Sequence, residues 1–70
     1  MTAGEHWYSC VLDRADGWRI TTNVYTDQPL TGAELLPLAV EKAIVHARAL
    51  GVAALPTEYT PVGYRYRGII

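Results

Sequence analysis

The stretch VGYRYRGII near the end of the chain sets Arg65 and Arg67 between Tyr64 and Tyr66, and it is the part of the sequence best equipped for chemistry. Guanidinium groups beside flat rings can hold single-stranded nucleic acid, the bases stacking while the cations meet phosphates. Trp7, Arg19 and Tyr25 would complete such a face with Arg65 and Arg67. Trp, Tyr and Arg are also the residue types that dominate protein–protein hot spots. A plain strand would give the same alternation, with arginine stems covering exposed sheet and tyrosines at the edge of a core. The stretch does not reproduce the aromatic ribonucleoprotein signature.

Cys10 and His46 are the only soft ligand or nucleophile pair. A catalytic thiol needs a lowered pKa and an imidazole within hydrogen-bond reach, whereas Cys10 falls on the apolar side of its strand and reads as buried and inert. His6 lies near the start and reads as part of a frayed terminus. The carboxylates are dispersed: Asp13 and Asp16 at a turn, Asp27 ahead of a helix, Glu34 at its cap, Glu41 on its surface and Glu58 in a connection. No paired acid and base, zinc-ligand spacing, dinucleotide fingerprint or phosphate loop is spelled out. No catalytic residue, metal or cofactor is expected.

Seventy residues with a net charge of −1 exclude a globally basic nucleic-acid binder and leave only local patches. A chain of this length buries only about 60% of the surface its unfolded form exposes, and one cysteine allows no internal disulfide. Self-association is the remaining common supplement. Half the residues are apolar or aromatic and only 19% are charged, below the usual quarter, so apolar surface is left over for a partner. Five arginines against a single lysine, Lys42, no phenylalanine and abundant alanine and glycine match the codon bias of a GC-rich, bacterial genome. The opening MTAGEHWYS lacks the basic and apolar regions of a signal peptide, and no run is long enough to span a bilayer. With an unpaired thiol, the expected address is the cytoplasm.

These residues must be positioned by a small set of elements. His6 to Asp13 and Trp18 to Thr26 are rich in aromatic and β-branched types around the turn RADG, which predicts a β-hairpin over 6–26. A two-residue turn at Asp16-Gly17 would oppose Asp13 to Ile20, and a three-residue loop with a left-handed Gly17 would oppose Asp13 to Arg19. The second is preferred, because it collects Tyr8, Cys10, Leu12, Ile20, Thr22 and Val24 on one face. QPLTGAELL starts a helix over 32–50, with Thr31 as N-cap, Glu34 closing a capping box, and Leu30 and Leu35 spaced as a hydrophobic staple. Pro37 should bend this helix or detach its first turn, and Gly51 should end it. Leu36, Ala39, Val40, Ala43, Ala47 and Leu50 form the predicted core stripe, while Leu38, Val45 and Ala49 align on the far side as a candidate contact. After a connection VAALPTEYTP, a third strand over 62–69 puts Val62, Tyr64, Tyr66, Gly68 and Ile70 on one side and Gly63, Arg65, Arg67 and Ile69 on the other.

The fold class is therefore α+β: one two-layer ββαβ domain over residues 1–70, its three-stranded, mostly antiparallel sheet in order 2-1-3 and covered by one helix. Residues 8 to 50 resemble the front of HicB-type antitoxins, which share a short strand, an acidic turn ending in DGW, a second strand and a threonine-capped helix beginning TGAEL. The resemblance implies a small αβ domain that binds and blocks a toxic ribonuclease, often followed by a DNA-binding segment. This chain departs from that pattern: the extra strand before the helix and the DNA-binding segment have no counterpart, and the ending differs. No functional residue is carried across. The sequence points to a small non-enzymatic interaction module that forms a homodimer or higher assembly and binds a protein partner, with single-stranded nucleic acid as the alternative partner and no membrane. Its expected interface is Leu38, Val45 and Ala49 on the helix and Trp7, Tyr25, Arg65 and Arg67 on the sheet, and the third strand is a candidate edge for pairing with another chain.

Overall fold

The computed structural model describes residues 4–51 and 55–70, so Val52, Ala53 and Ala54 of the expected connection lie outside the described residues, as do Met1 to Ala3. The elements follow the order β1 (His6–Arg14), β2 (Arg19–Thr26), α1 (Gly32–Ala49), a short 3₁₀ turn (Pro56–Glu58) and β3 (Tyr59–Ile69). The sheet is fully antiparallel in the order β2-β1-β3, with α1 crossing one face. This is the predicted α+β two-layer arrangement.

Turn chemistry fixes the hairpin. The Arg14 N–H donates to the Trp18 carbonyl at 2.7 Å across a three-residue loop, and Gly17 takes a φ of 94°, which a side chain would oppose. That loop sets Asp13 opposite Arg19, Leu12 opposite Ile20, Cys10 opposite Thr22 and Tyr8 opposite Val24. Because strand side chains alternate with a period of two, this register alone decides that Tyr8, Cys10, Leu12 and Val24 are buried together.

The start of α1 is built as its sequence predicts. Thr31 Oγ1 accepts from the Glu34 N–H at 3.3 Å, and Glu34 Oε1 accepts from the Thr31 N–H at 3.1 Å. Leu30 packs on the core beside the fully buried Leu35, and its N–H donates to Tyr8 Oη at 3.1 Å, which ties the helix entry to the sheet. The helix is continuous through Pro37, so the expected separate first turn does not form; Pro37 lies on the exposed side, where the carbonyl it leaves unpaired can meet water.

The helix is rotated from its expected setting. Leu35, Ala39, Ala43, Ile44 and Ala47 are the buried residues, Leu36 and Val40 only partly so, and Leu50 is 76% exposed. The core stripe is thus the row of every fourth residue from Leu35, which begins where the staple seats Leu35. Three alanines along that row let the helix lie close to the sheet, and Leu50 lies past the last helical residue, before the terminating Gly51.

The third strand begins at Tyr59 rather than Val62. Tyr59 is buried in the core. Register shifts between Val11 and Leu12 and between Trp7 and Tyr8 leave Val62 and Arg67 unopposed, so both are bulged. A bulge adds one residue and inverts the alternation beyond it. Val62 therefore lines the open face with Ser9 and Val11, not the side of Tyr64, and Gly68, opposite Trp7, takes a φ of 116°. His6 belongs to β1 and shares a hydrogen bond with Tyr66 Oη at 2.9 Å, so it is not part of a frayed end.

Candidate interaction site

The β1 register and the middle of β3 bring Trp7, Arg19, Tyr25, Arg65 and Arg67 to the open face of the sheet, as predicted. Their state there differs from that of a free stacking platform. Trp7 lies nearly parallel to Tyr25, with centroids 6.4 Å apart and planes 20° from parallel. The Arg67 guanidinium stands 5.2 Å from the Trp7 ring centroid, and Trp7 Nε1 donates to Asn23 Oδ1 at 3.1 Å. The indole is already engaged by its neighbours. Arg19 donates to both oxygens of Asp13, at 2.7 and 3.1 Å, so the cation is matched in place and the Asp13 carboxyl is held below its ordinary range by that hydrogen bond. Arg65 stands opposite Ser9 and has no ion pair among the described residues. A shallow concavity of about 480 Å³ lies along this face between Arg19, Val62 and Arg65.

On the other layer, Leu38 is 41% exposed and Val45 61%. Ala49 is exposed beside them. The second helix stripe therefore faces outward as its spacing predicts. A different apolar feature was hidden from sequence reasoning. Leu36, Val40 and Ile44 form one wall of a groove of about 560 Å³ whose opposite wall includes Pro56 and Pro61. It runs between α1 and the start of β3, above the β3 edge. The prolines signalled a connection, but only the fold shows that they line a groove. Tyr64 and Tyr66 project on the same side as the helix yet remain 45% and 48% exposed. The Tyr64 ring sits against Gly32, where a Cβ would come within 2.7 Å of it.

The two sheet edges differ. Lys42 reaches from the helix and donates to the backbone carbonyl of Asn23 on β2, its ammonium also 5.3 Å from the Tyr25 ring centroid. A charged side chain laid over an edge in this way obstructs an incoming strand. β3 carries no comparable cover among the described residues.

The Cys10 and His46 side chains do not form a hydrogen-bonded pair among the described residues. Cys10 is fully buried, and burial pushes its thiol pKa up, partly countered by Lys42. His46 is exposed and makes no hydrogen bond to it among the described residues. A cavity of about 210 Å³ lined by Arg14, Thr22, His46 and Tyr59 lies at the far end of the helix. Tyr59 Oη is buried there without a well-formed hydrogen bond, and Arg14 is engaged by Asp16 at 2.8 Å. No three His, Cys, Asp or Glu side chains gather among the described residues, and no described helix is long and apolar enough to cross a membrane.

Among the described residues, the fold and its surfaces define a small two-layer α+β protein with an uncovered sheet face, an apolar helix stripe and one open strand edge. No family model, curated protein or solved structure matches the chain. The resemblance to HicB-type antitoxins therefore rests on the quoted sequence pattern alone.

Proposed function

We propose that this protein is a non-enzymatic interaction module that associates with itself and binds a protein partner. One observation carries the reading: among the described residues eleven large apolar or aromatic side chains are exposed, one more than the ten residues of the buried hydrophobic core, and four of those ten are alanine or cysteine. A chain of this size has little other means of stabilising its fold, and burial against a second surface supplies it. Partner binding uses the stripe of Leu38, Val45 and Ala49 and the sheet face bearing Trp7, Tyr25, Arg65 and Arg67. Aromatic rings held by their neighbours lose little entropy on contact, and arginine adds hydrogen bonding at the rim. In this reading the protein works in the cytoplasm, where its lone thiol stays reduced.

Sedimentation equilibrium from low micromolar to near-millimolar protein tests the first half, with mass rising to a dimer or beyond expected. Capture from a bacterial lysate, split into nuclease-treated and untreated halves, tests the second. A partner retained after nuclease and lost on Leu38→Asp with Val45→Asp, or on Trp7→Ala with Arg67→Ala, supports the reading. A monomer at every concentration that retains no protein defeats it.

The specific observation favouring nucleic acid as the alternative partner is Arg65, without an ion pair among the described residues, beside the Arg67–Trp7 pair on an open sheet. That reading requires binding that weakens steeply with salt and quenches tryptophan fluorescence. Binding unchanged by Arg65→Ala with Arg67→Ala removes it.

A further inference from the structure

We infer that β3 pairs antiparallel with β3 of a second copy about a two-fold axis through Tyr64, joining two sheets into one of six strands; this rests on the self-association proposed above. The choice of edge follows from the asymmetry already described. Lys42 covers β2 at Asn23, whereas β3 is the longest strand, at 11 residues, and has no such cover among the described residues.

The register follows from the irregularities of β3. Bulges at Val62 and Arg67 leave Gly63 to Tyr66 as the stretch of regular geometry, and Pro61 cannot donate to a new ladder. Residues directly opposite each other in an antiparallel pair share a face. A two-fold axis between residues would therefore set a helix-side residue against an open-face one, and only an axis through a residue is allowed. An axis through Gly63 or Tyr66, at either end of the stretch, would pair that residue alone within it, and an axis through Arg65 would place two arginines in direct opposition, which like charges disfavour. An axis through Tyr64 opposes the two tyrosines and lays each Arg65 across the other copy's Gly63. Nothing lies within 4 Å of a Cβ position at Gly63, so the arginine stem has room.

The helix layer agrees with this register. Each helix crosses its own sheet near β1, so three strand spacings separate the two helices, about 14 Å at ~4.8 Å per spacing. Helices in direct contact pack with axes ~8–10 Å apart, so the wider gap must be filled by side chains from the strands beneath. The half-exposed Tyr64 rings stand in it, between the two groove walls of Leu36, Val40 and Ile44. A specific interface must clear about 1,000 Å² in total, and each copy's half is roughly a tenth of its 4933 Å² surface. The exposed halves of Tyr64 and Tyr66 supply about 200 Å² of that, taking ~200 Å² for a whole ring, and Val62, the groove and the strand edge supply the rest.

Cysteine cross-linking tests the register, because Cys10 is buried and leaves an introduced thiol as the accessible one. Residues paired across the axis have Cα atoms about 4.5–5.5 Å apart, within disulfide range. Tyr64→Cys should oxidise almost completely to a covalent dimer with an unchanged circular dichroism spectrum, while Thr21→Cys on β2 stays unlinked. Should Tyr64→Cys fail to fold, Gly63→Cys and Arg65→Cys carry the test without touching Tyr64: each should stay largely unlinked alone, and the two should link on mixing. A wild-type dimer by sedimentation that links in neither arrangement overturns the strand pairing and leaves self-association standing. A wild-type monomer at all concentrations overturns both.

Discussion

Replacing Leu35 with alanine tests the helix rotation on which the exposed helix stripe depends. Leu35 is fully buried, at 0% exposure, while Leu50 is 76% exposed. Truncating a buried leucine loses transfer free energy and leaves a cavity that costs more where neighbours cannot collapse into it, ~2.7–5 kcal/mol in all. The alanines at 39, 43 and 47 and the fixed Tyr8 ring give little scope for collapse around this site, so a cost of about 3 kcal/mol or more is expected. Total stability for a chain of this length is about 4–10 kcal/mol, so Leu35→Ala should remove roughly 30% of it or more. Leu50→Ala should stay within about 0.5 kcal/mol of wild type. Urea titration at one fixed protein concentration reads both: with m near 1 kcal/mol/M for a small protein, the midpoint should fall by about 3 M for Leu35→Ala and hold for Leu50→Ala. Equal shifts, or a larger one at Leu50, would refute the rotation, and with it the outward placement of Leu38, Val45 and Ala49.

Thr31→Ala should cost about 1 kcal/mol by removing the helix cap, measured by the same titration. Asp13, Asp16 and Glu34 all have carboxyl pKa values lowered by hydrogen bonds, from Arg19, from Arg14 and from the Thr31 backbone N–H respectively. Groups lowered in the folded state stabilise it fully above their unfolded values, about pH 4 to 4.5, and the contribution is lost as pH falls through the lowered folded values. Thermal melts should therefore hold level above that range and decline below it, less steeply in Asp13→Asn. Cys10 should react with a thiol reagent no faster than the protein opens, and labelling of the native state at the rate of a free thiol would contradict its burial. Lys42→Ala should expose the β2 edge and increase higher-order association, seen as mass beyond the wild-type species in light scattering.

The strongest local signals in the sequence were also the most faithful. The three-residue loop ending at Gly17 and the box of Thr31 and Glu34 act through backbone groups a few residues away, so their geometry is written in adjacent residue types. They fixed the hairpin register and the helix start, and with them the layer on which Trp7, Arg19 and Tyr25 stand. Helix rotation was less legible, because α1 carries apolar residues around much of its circumference and periodicity alone allows two neighbouring stripes. Tertiary contact chose between them when the staple seated Leu35. The bulges at Val62 and Arg67 left no signature that residue types could reveal, since Gly68 is only one of several glycines in the chain.

That last omission bears directly on function. Uniform alternation along β3 would set Val62 beside Tyr64 and leave one long regular edge, open to many registers and to many partners. The bulges move Val62 to the arginine face and shorten the regular edge to four residues. Such an edge resists open-ended strand addition, while its short central stretch admits one symmetric pairing free of opposed arginines. The two edges of this sheet are then managed by different means, a lysine laid across β2 and bulges bracketing the centre of β3. In the β3–β3 pairing inferred above, removing the bulge should let the strands slip register, which deletion of Val62 in the Tyr64→Cys variant would test: weaker cross-linking with the dimer mass retained follows from this reasoning, and undiminished cross-linking would show that the bulge plays no part in setting the register.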